Sequence, residues 1–291
     1  MIKINEHGPV TEWCYTSENA LIKKISKPFW TSCYVIDGLL IDTGSPSAID
    51  DFRRFIDSDG RNSSIKMCLI SHWHEDHSGG AEMLSREYGI PLYAHRITVE
   101  KITKGWKIPL YRRMAWGREV VPTYGACQLN SGSINTPGGR YSFEVVQVPG
   151  HADGQLALIE REQGWAFTAD SVMNNYRMLF GGSCDIQEDI KTIHSSIGRL
   201  AGISDEITGG LKLFLSGNGV VEEGGKFLRE RLKEIEELHA RVHELKYRGM
   251  NEKKILKEMF GGESPVAKVS RGDFSRMNLV RSLLAWEPGT N

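Results

Sequence analysis

The sequence predicts a mixed α/β protein that ends in a small helical segment. Over residues 1–221, short apolar runs alternate with glycine-containing turns, which is the pattern of buried strands joined by loops and helices. From Glu222 onward the apolar residues recur at intervals of three and four, which is the pattern of amphipathic helices. We therefore predict an α/β domain over residues 1–221 and a helical domain over residues 222–291.

The composition is that of an ordinary globular protein. Hydrophobic residues make up 40% and charged residues 25% of the 291 positions, and the formal net charge of −1 argues against a protein that binds nucleic acid. The first residues lack the apolar core of a signal peptide, and no apolar stretch is long enough to cross a bilayer. The five cysteines include no CxxC pair, as expected of reduced thiols. We expect a cytoplasmic protein that binds no membrane.

The first half of the chain predicts strands with helices between them. Asp37-Gly38 separates two apolar runs, as in a tight hairpin. Residues 46–57 have apolar side chains at helical spacing, and residues 65–70 form a mostly apolar run that suits a buried strand. A second helix should begin near residue 81 and end at Gly89, because glycine readily adopts the left-handed conformation that ends many helices.

The second half predicts a hairpin, a helix and one last strand before the helical segment. Residues 155–170 hold two apolar runs around the turn REQG. We predict a helix over residues 186–202, ending at its glycine, and a last strand that begins at Leu211 and runs into the turn SGNG. The helical segment should contain one long helix, ended by Gly249, and two shorter helices.

The stretch SHWHEDHSGG, residues 71–80, carries the strongest functional signal. His72, His74, Asp76 and His77 place four potential metal ligands within six positions, directly after a predicted buried strand. In an extended segment residues two apart point to the same side, so the first two histidines should face one site. The two glycines that follow remove side chains where the chain passes close to another part. A solvated polar loop explains one histidine but not this concentration of ligands, so we predict a metal site.

The cluster HWHEDH resembles the HxHxDH signature of the metallo-β-lactamase superfamily. Further segments over about residues 31–221 resemble that family in the same order along the chain: IDTG at 41–44, PGHADGQLAL at 149–158, FTADS at 167–171 and LFLSGNG at 213–219. The resemblance implies an αββα sandwich, in which two mixed sheets lie between outer helices and the metals lie at one edge.

The resemblance also implies two neighbouring metal positions. Six residues match the ligand positions of the family: His72, His74 and His151 for a first metal, Asp76 and His77 for a second, and Asp170 shared between the two. We expect one or two zinc ions, and the same imidazole and carboxylate groups would accept iron or manganese.

One position departs from the family pattern. Where the family has its last histidine, this sequence has Asn218. An amide oxygen is a poorer zinc ligand than imidazole, so we expect one tight metal and a weaker second site, with Asn218 as a weak ligand or a neighbour of the ligands. The departure leaves open a single iron held by His72, His151 and Asp170, as in the persulfide dioxygenases of the superfamily.

The function implied by the resemblance is metal-dependent hydrolysis. A metal-activated hydroxide would attack the substrate, and Asp76 would orient the hydroxide and move its proton. We expect a small ester, thioester or lactone as substrate. A mononuclear iron dioxygenase of the persulfide type and a hydrolase that processes RNA or another phosphodiester are the alternatives. Residues 222–291 hold 14 Lys and Arg against 12 Asp and Glu, which argues against RNA as a partner.

Residues 101–118 are the best indication of how the substrate is held. They mix three aromatic residues with six basic residues and no acidic ones. We interpret them as a loop or helical insert over the site that binds an acidic, partly apolar compound, and a solvated surface with aromatic anchors explains them equally well. Tyr176 and Arg177 are further candidates for substrate contact. We expect the C-terminal helices to cover the edge of the site or to form a homodimer contact.

Overall fold

Two β-sheets pack face to face between layers of helices in the computed structural model, which describes residues 1–25, 28–117, 119–217 and 219–289. The strands of the first sheet lie in space in their order along the chain: β1 (Ile2–His7), β2 (Val10–Thr16), β3 (Trp30–Ile36), β4 (Leu39–Ile41), β5 (Met67–Ile70), β6 (Leu92–Ala94) and β7 (Cys127–Gln128). Pairing is antiparallel from β1 to β4 and parallel from β4 to β7.

The second sheet is also mixed. Its strands are β8 (Gly132–Asn135), β9 (Ser142–Gln147), β10 (Leu156–Glu160), β11 (Trp165–Ala169), then β13 (Lys212–Leu215) and β14 (Gly219–Val221), while β12 (Leu179–Phe180) and β15 (Phe274–Ser275) form a separate two-stranded sheet. The spatial order of the second sheet is β14-β13-β11-β10-β9-β8. Among the neighbouring pairs of described strands in this sheet, β11 and β13 are parallel and the others are antiparallel.

The helices occupy the outer layers and the carboxyl end. They are α1 (Ala20–Ile25), α2 (Ile49–Asp57), α3 (Arg61–Ser64), α4 (Glu75–Ser78), α5 (Ala81–Tyr88), α6 (Arg96–Lys104), α7 (Leu110–Trp116), α8 (Ile190–Glu206), α9 (Gly224–Tyr247), α10 (Glu252–Phe260), α11 (Pro265–Val269) and α12 (Arg276–Ala285). No helix in the described part of the chain combines the length and the apolar character needed to cross a membrane.

Three apolar layers hold the sandwich together. The layer between the sheets contains Leu69 from the first sheet and Phe167 and Phe214 from the second, whose rings stack with centroids 4.5 Å apart. A second layer lies between the first sheet and helices α2 and α5, and a third lies between the second sheet and helices α8, α9 and α12. Burial of apolar surface on both faces of both sheets gives the αββα sandwich, so the predicted fold class is confirmed.

The C-terminal helices share the third layer with the second sheet. Leu228, Ile235 and Val242 of α9 are fully buried in the same cluster as Leu213 of β13 and Ile197 of α8. The apolar residues whose spacing predicts this helix therefore form the face that packs on the sandwich. Whether residues 1–221 and 222–291 are separate domains stays a prediction.

Several predicted elements are confirmed and others are wrong. Asp37 and Gly38 both have positive φ, as a two-residue hairpin requires, and Gly89 ends α5 in the left-handed conformation. The predicted end of a helix at residue 202 is wrong, because α8 continues to Glu206 and buries Ile203. The strand at Leu211 is not the last, since β14 and β15 follow, and α11 was not predicted.

Candidate metal centre

Four of the predicted metal ligands lie on loops between strands, and the other two, Asp76 and His77, lie in the short helix α4. His72 and His74 follow β5, His151 lies between β9 and β10, and Asp170 follows β11 directly. Strands buried on both faces are rigid, so the loops that leave them can hold ligands in fixed positions. Asn218, the predicted weak ligand, lies outside the described residues.

Three imidazole rings converge in a first cluster. Nδ1 of His74 lies 3.1 Å from Nε2 of His72 and 2.9 Å from Nε2 of His151. Two ligand atoms on a tetrahedral ion with bonds of about 2.1 Å lie about 3.4 Å apart, close to this spacing. All three side chains are buried and their ligand atoms lie within 4.8 Å of one another. The three residues therefore fit one metal ion.

A second cluster lies beside the first and joins His77 to two carboxylates. Nε2 of His77 lies 3.4 Å from Oδ2 of Asp170 and 3.9 Å from Oδ2 of Asp76. The same oxygen of Asp170 lies 3.4 Å from Nε2 of His151, so this carboxylate faces both clusters. Nε2 of His77 is buried without a hydrogen-bond partner among the described residues. A buried imidazole nitrogen that faces carboxylates fits a second ligand position.

Asp42, in the turn after β4, holds the second cluster in place. Its carboxylate accepts hydrogen bonds from the backbone N–H of Ser71 at 2.7 Å and the Ser71 hydroxyl at 2.8 Å, and it lies 2.7 Å from Nδ1 of His77. A proton on Nδ1 leaves Nε2 of His77 free to face the cluster. Asp42 has a φ of 64°, and these hydrogen bonds stabilise that rarely adopted conformation.

Glu188 fixes the orientation of a histidine in the first cluster, as Asp42 does in the second. Its Oε1 lies 2.6 Å from Nδ1 of His151, and its Oε2 accepts a hydrogen bond of 2.6 Å from the backbone N–H of Phe180. A carboxylate bound to the outer nitrogen of a histidine ligand fixes the ring orientation and raises the basicity of the inner nitrogen. Glu188 precedes α8 in sequence, so the outer helical layer contributes directly to the site.

A buried ion pair joins helix α7 to the ligand loop. Nε of Arg112 lies 2.5 Å from Oε1 of Glu75, and Nη2 lies 3.0 Å from Oε2 of Glu75 and 3.5 Å from Oδ1 of Asp76. Glu75 is 0% and Arg112 5% exposed. Asp76 therefore turns one oxygen to a guanidinium and the other to His77.

Burial and neighbouring charges shift the pKa values of the ligands in opposite directions. Burial lowers the pKa of His72 and of His74, and the surrounding cations lower both pKa values further, so both rings are neutral, as metal binding requires. Burial raises the pKa of Asp76 to about 6. Although burial opposes both shifts, the carboxylates around His77 raise its pKa, and His77 lowers the pKa of Asp170 to about 2. Negative charge thus gathers around the second cluster, where a cation would be stabilised.

A pocket of about 530 Å³ opens beside both clusters. His74, Asp76, His151 and Asp170 form one side of it. Much of the remaining lining is aromatic, with contributions from Phe29, Trp30, Tyr111, Trp116, Phe180 and Phe274. Pockets of this size and character hold small-molecule ligands.

The insert predicted from residues 101–118 contains the end of α6, a connecting loop and α7, and α7 lies at the pocket. Helix α7 brings Tyr111, Arg112 and Trp116 to the pocket, while Arg118 lies outside the described residues. The charge of Arg112 is neutralised by Glu75, so this arginine does not offer a free positive charge to an acidic substrate. The interpretation of the insert as a binder of acidic compounds stays a prediction.

Tyr176 and Arg177 both line the pocket, but in different ways. The Tyr176 hydroxyl accepts a hydrogen bond from the backbone N–H of Met173 and donates one to the carbonyl of Ser171, so it holds its own loop. Only its ring is available to a ligand. Arg177 is exposed. Contact of either residue with substrate stays a prediction.

Sequence reasoning missed four residues that organise the site. They are Asp42, Glu75, Arg112 and Glu188. The segment IDTG, which contains Asp42, resembles a family motif but does not reveal the contact with His77, and Glu75 stands among stronger ligand candidates in the histidine motif. Glu188 and Arg112 have no local sequence signal, because Glu188 lies 37 positions from His151 and Arg112 lies 37 positions from Glu75.

Comparison with known proteins decides the family. The model of the metallo-beta-lactamase superfamily matches residues 27–206, which is more than half of the chain and includes all six predicted ligands. The chain belongs to the metallo-β-lactamase superfamily. It is 26% identical over 169 residues to thioesterase pkgB of Emericella nidulans, a match that covers 57% of this chain and 39% of that protein. It is also 26% identical over 163 residues to hydroxyacylglutathione hydrolase GloC of Haemophilus influenzae, covering 54% of this chain and 69% of that one.

Solved structures share the fold of this chain. A metallo-β-lactamase family protein from Thermus thermophilus superposes with a TM-score of 0.62 over 93% of this chain and 90% of that chain, at 16% identity. At this identity the likeness concerns the fold alone. The chain spans about two fifths of the length of the fungal thioesterase, so the activity of that relative does not by itself define the activity of this chain.

Proposed function

We propose that the protein is a metal-dependent hydrolase that cleaves a thioester or a related ester or lactone. The observation that carries the proposal is the convergence of imidazole nitrogens and carboxylates at the side of a pocket of about 530 Å³. The relatives named as a thioesterase and a hydroxyacylglutathione hydrolase favour a thioester among these substrates.

The two ligand clusters support the following roles for the residues. His72, His74 and His151 would hold one divalent ion, for which we propose zinc. His77 and Asp170 would hold a second, with Asp76, whose Oδ2 lies 3.9 Å from Nε2 of His77, as its third ligand. A divalent ion held there would supply a Lewis acid for the substrate carbonyl and would lower the pKa of bound water to about 7.

Asp76 is placed to move a proton during the reaction. It lines the pocket together with Asp170, so its carboxylate is within reach of a bound substrate and of the attacking water. Arg112 contacts the outer oxygen of Asp76, while Asp42 and Glu188 fix the orientation of His77 and His151. The aromatic lining of the pocket offers apolar surface to the rest of the substrate.

Substitution of the ligands tests the proposal. We expect His151→Ala and Asp170→Ala each to lose bound metal and to lower thioester hydrolysis more than about 100-fold, because each removes a direct ligand. Elemental analysis of the purified variants measures the first effect, and kinetics with a panel of thioesters, esters, lactones and phosphodiesters measures the second. His194→Ala is the matched control, since His194 of α8 pairs with Glu236 of α9 and is not among the residues that line the pocket. Retention of both metal and activity in the ligand variants would contradict the assignment.

The same measurements separate the alternatives. One tightly bound iron per chain, with thiol-dependent uptake of oxygen, would identify a persulfide-type dioxygenase instead. Cleavage of phosphodiesters together with steeply salt-dependent RNA binding would identify an RNA-processing enzyme.

A further inference from the structure

The C-terminal segment, residues 222–291, supplies part of the pocket through a short strand. Strand β15 pairs with β12, so that Phe274 lies opposite Phe180. Their rings stack with centroids 4.2 Å apart and planes inclined by 21°, and both side chains line the pocket. Val266 of α11 lines the pocket as well. Phe180, Phe274 and Val266 therefore form one wall of the pocket, although they lie far from the histidine motif in sequence.

This wall is fixed by hydrogen bonds. The Asp273 carboxylate accepts hydrogen bonds from the backbone N–H and hydroxyl of Ser183, and the Asp273 carbonyl accepts one from the N–H of Gly181. The side-chain amide of Asn278 donates to the carbonyl of Leu179 at 3.2 Å. Bonds on both sides of Phe274 thus hold its ring in one position relative to Phe180.

The stacked pair is connected to both ligand clusters. The N–H of Phe180 donates to Glu188, and the other oxygen of Glu188 contacts His151 of the first cluster. The Arg112 guanidinium lies 4.9 Å from the centre of the Phe180 ring and 3.5 Å from Asp76 of the second cluster. A group held against this pair is therefore close to the reacting bond.

The charged groups behind the wall are already neutralised. Arg112 pairs with Glu75, and Glu188 binds His151 and the backbone of Phe180. What the wall offers a ligand is aromatic surface, which favours flat or bulky apolar groups.

We propose, on the basis of the hydrolase function above, that the C-terminal segment determines specificity and that Phe274, stacked on Phe180, binds an aromatic or bulky apolar group next to the scissile bond of the substrate. That group belongs either to the acyl part or to the thiol part of a thioester. The bound group is aromatic or apolar in both cases, and pairs of substrates distinguish the acyl position from the thiol position.

Two pairs of synthetic thioesters test the proposal on the metal-loaded protein. The acyl pair is the acetyl and phenylacetyl thioesters of ethanethiol, and the thiol pair is the acetyl thioesters of ethanethiol and benzyl mercaptan. We expect kcat/KM to favour the aromatic member of one pair by about tenfold or more. A preference within the first pair places the aromatic group on the acyl side, and a preference within the second places it on the thiol side.

Variants of the wall assign the preference to Phe274. In the pair of thioesters for which the wild type shows a preference, Phe274→Ala should reduce the ratio of kcat/KM for the aromatic member to kcat/KM for the other member toward one. The change should come mainly from KM, while metal content stays at the wild-type value. Phe274→Leu keeps an apolar side chain and should retain part of the ratio, which guards against a folding defect of the alanine variant. Phe260→Ala is the matched control, because Phe260 belongs to the same C-terminal segment and packs against the core without being among the residues that line the pocket.

The possible failures are distinguishable. Hydrolysis of the acetyl ethanethiol ester without preference in either pair would overturn this inference and leave the hydrolase standing. Failure to cleave any thioester, with metal bound, would overturn the proposed function. In that case calorimetric binding of phenylacetate and acetate still tests the wall, and equal affinity for the two would overturn the inference.

Discussion

Arg112 and Glu75 are buried beside Asp76, where an ion pair loses the hydration that it would keep at the surface. The attraction of two buried charges offsets this loss only in good geometry, and an apolar pair of similar size is often at least as stable. The contact of Nη2 of Arg112 with Oδ1 of Asp76 gives a reason beyond stability for the pair. It holds a ligand carboxylate in one orientation.

A double substitution separates this positioning role from a purely structural one. Arg112→Met should lower the free energy of unfolding by about 3–5 kcal/mol, because it leaves Glu75 buried and unpaired. Adding Glu75→Gln should restore most of that stability, but metal affinity of the second cluster should remain about 10–100-fold weaker, since Asp76 still lacks its partner. Chemical denaturation and metal titration measure the two effects.

An exposed ion pair provides the control. Arg53 contacts Glu87 at the surface, so Arg53→Met should change neither stability nor metal affinity appreciably. If the double variant bound metal as tightly as the wild type, the Arg112–Glu75 pair would serve stability alone.

The residues of the site differ in how visible they are in the sequence. His72, His74, Asp76 and His77 are adjacent in sequence, so their pattern alone indicates metal binding. His151 stands alone in its segment, so only the resemblance of that segment to a family motif indicates a ligand there. Asp42 contacts a ring 35 positions away, and such a pairing of two polar side chains has no periodicity to reveal it.

At the scale of elements, the turn between β4 and α2 packs tightly against the end of the ligand loop. A Cβ atom on Gly79 would lie 2.5 Å from Cδ and 2.6 Å from the backbone nitrogen of Pro46, and one on Gly80 would lie 2.6 Å from the carbonyl oxygen of Thr43. These contacts confirm the prediction that the two glycines mark a close approach of the chain to another part. They fix α4, which carries Asp76 and His77, against the first sheet.

Alanine at two glycines tests this packing. Gly79→Ala should lower the free energy of unfolding by about 1–3 kcal/mol, because the backbone of Pro46 must move. Gly198→Ala, in the middle of α8 where a Cβ meets nothing within 4 Å, should raise it by about 0.4–1 kcal/mol. Thermal denaturation of both variants measures the difference in sign. A stability change of the same sign in both would refute the packing argument.

Elements with strong local patterns were predictable, and elements defined by distant contacts were not. The hairpin at Asp37-Gly38 and the long helix α9 follow from turn residues and apolar spacing. Strand β15 has two residues and exists only because it pairs with β12, which lies far away in sequence. Helix α8 continues past Gly202 because the cost of one glycine is offset by burial of Ile203 in the third apolar layer.

At the scale of the whole molecule, the C-terminal helices complete both the core and the site. Helices α9 and α12 bury apolar side chains against α8 and the second sheet, and β15 adds Phe274 to the pocket. The sequence pattern changes near residue 221, but the apolar layer continues across that position. A change of pattern along the chain therefore does not by itself mark a boundary between independently folding units.

Truncation tests whether residues 1–221 fold alone. We expect this fragment to lack a cooperative thermal transition and to bind a hydrophobic dye, because removal of α9 and α12 exposes the apolar face of α8 and of the second sheet. Co-expression with residues 222–291 as a separate chain should restore the transition, since the buried contacts can form between two chains. A fragment that unfolds cooperatively near the melting temperature of the full chain would instead establish two domains. Calorimetry of the fragment, the co-expressed pair and the full chain distinguishes these outcomes.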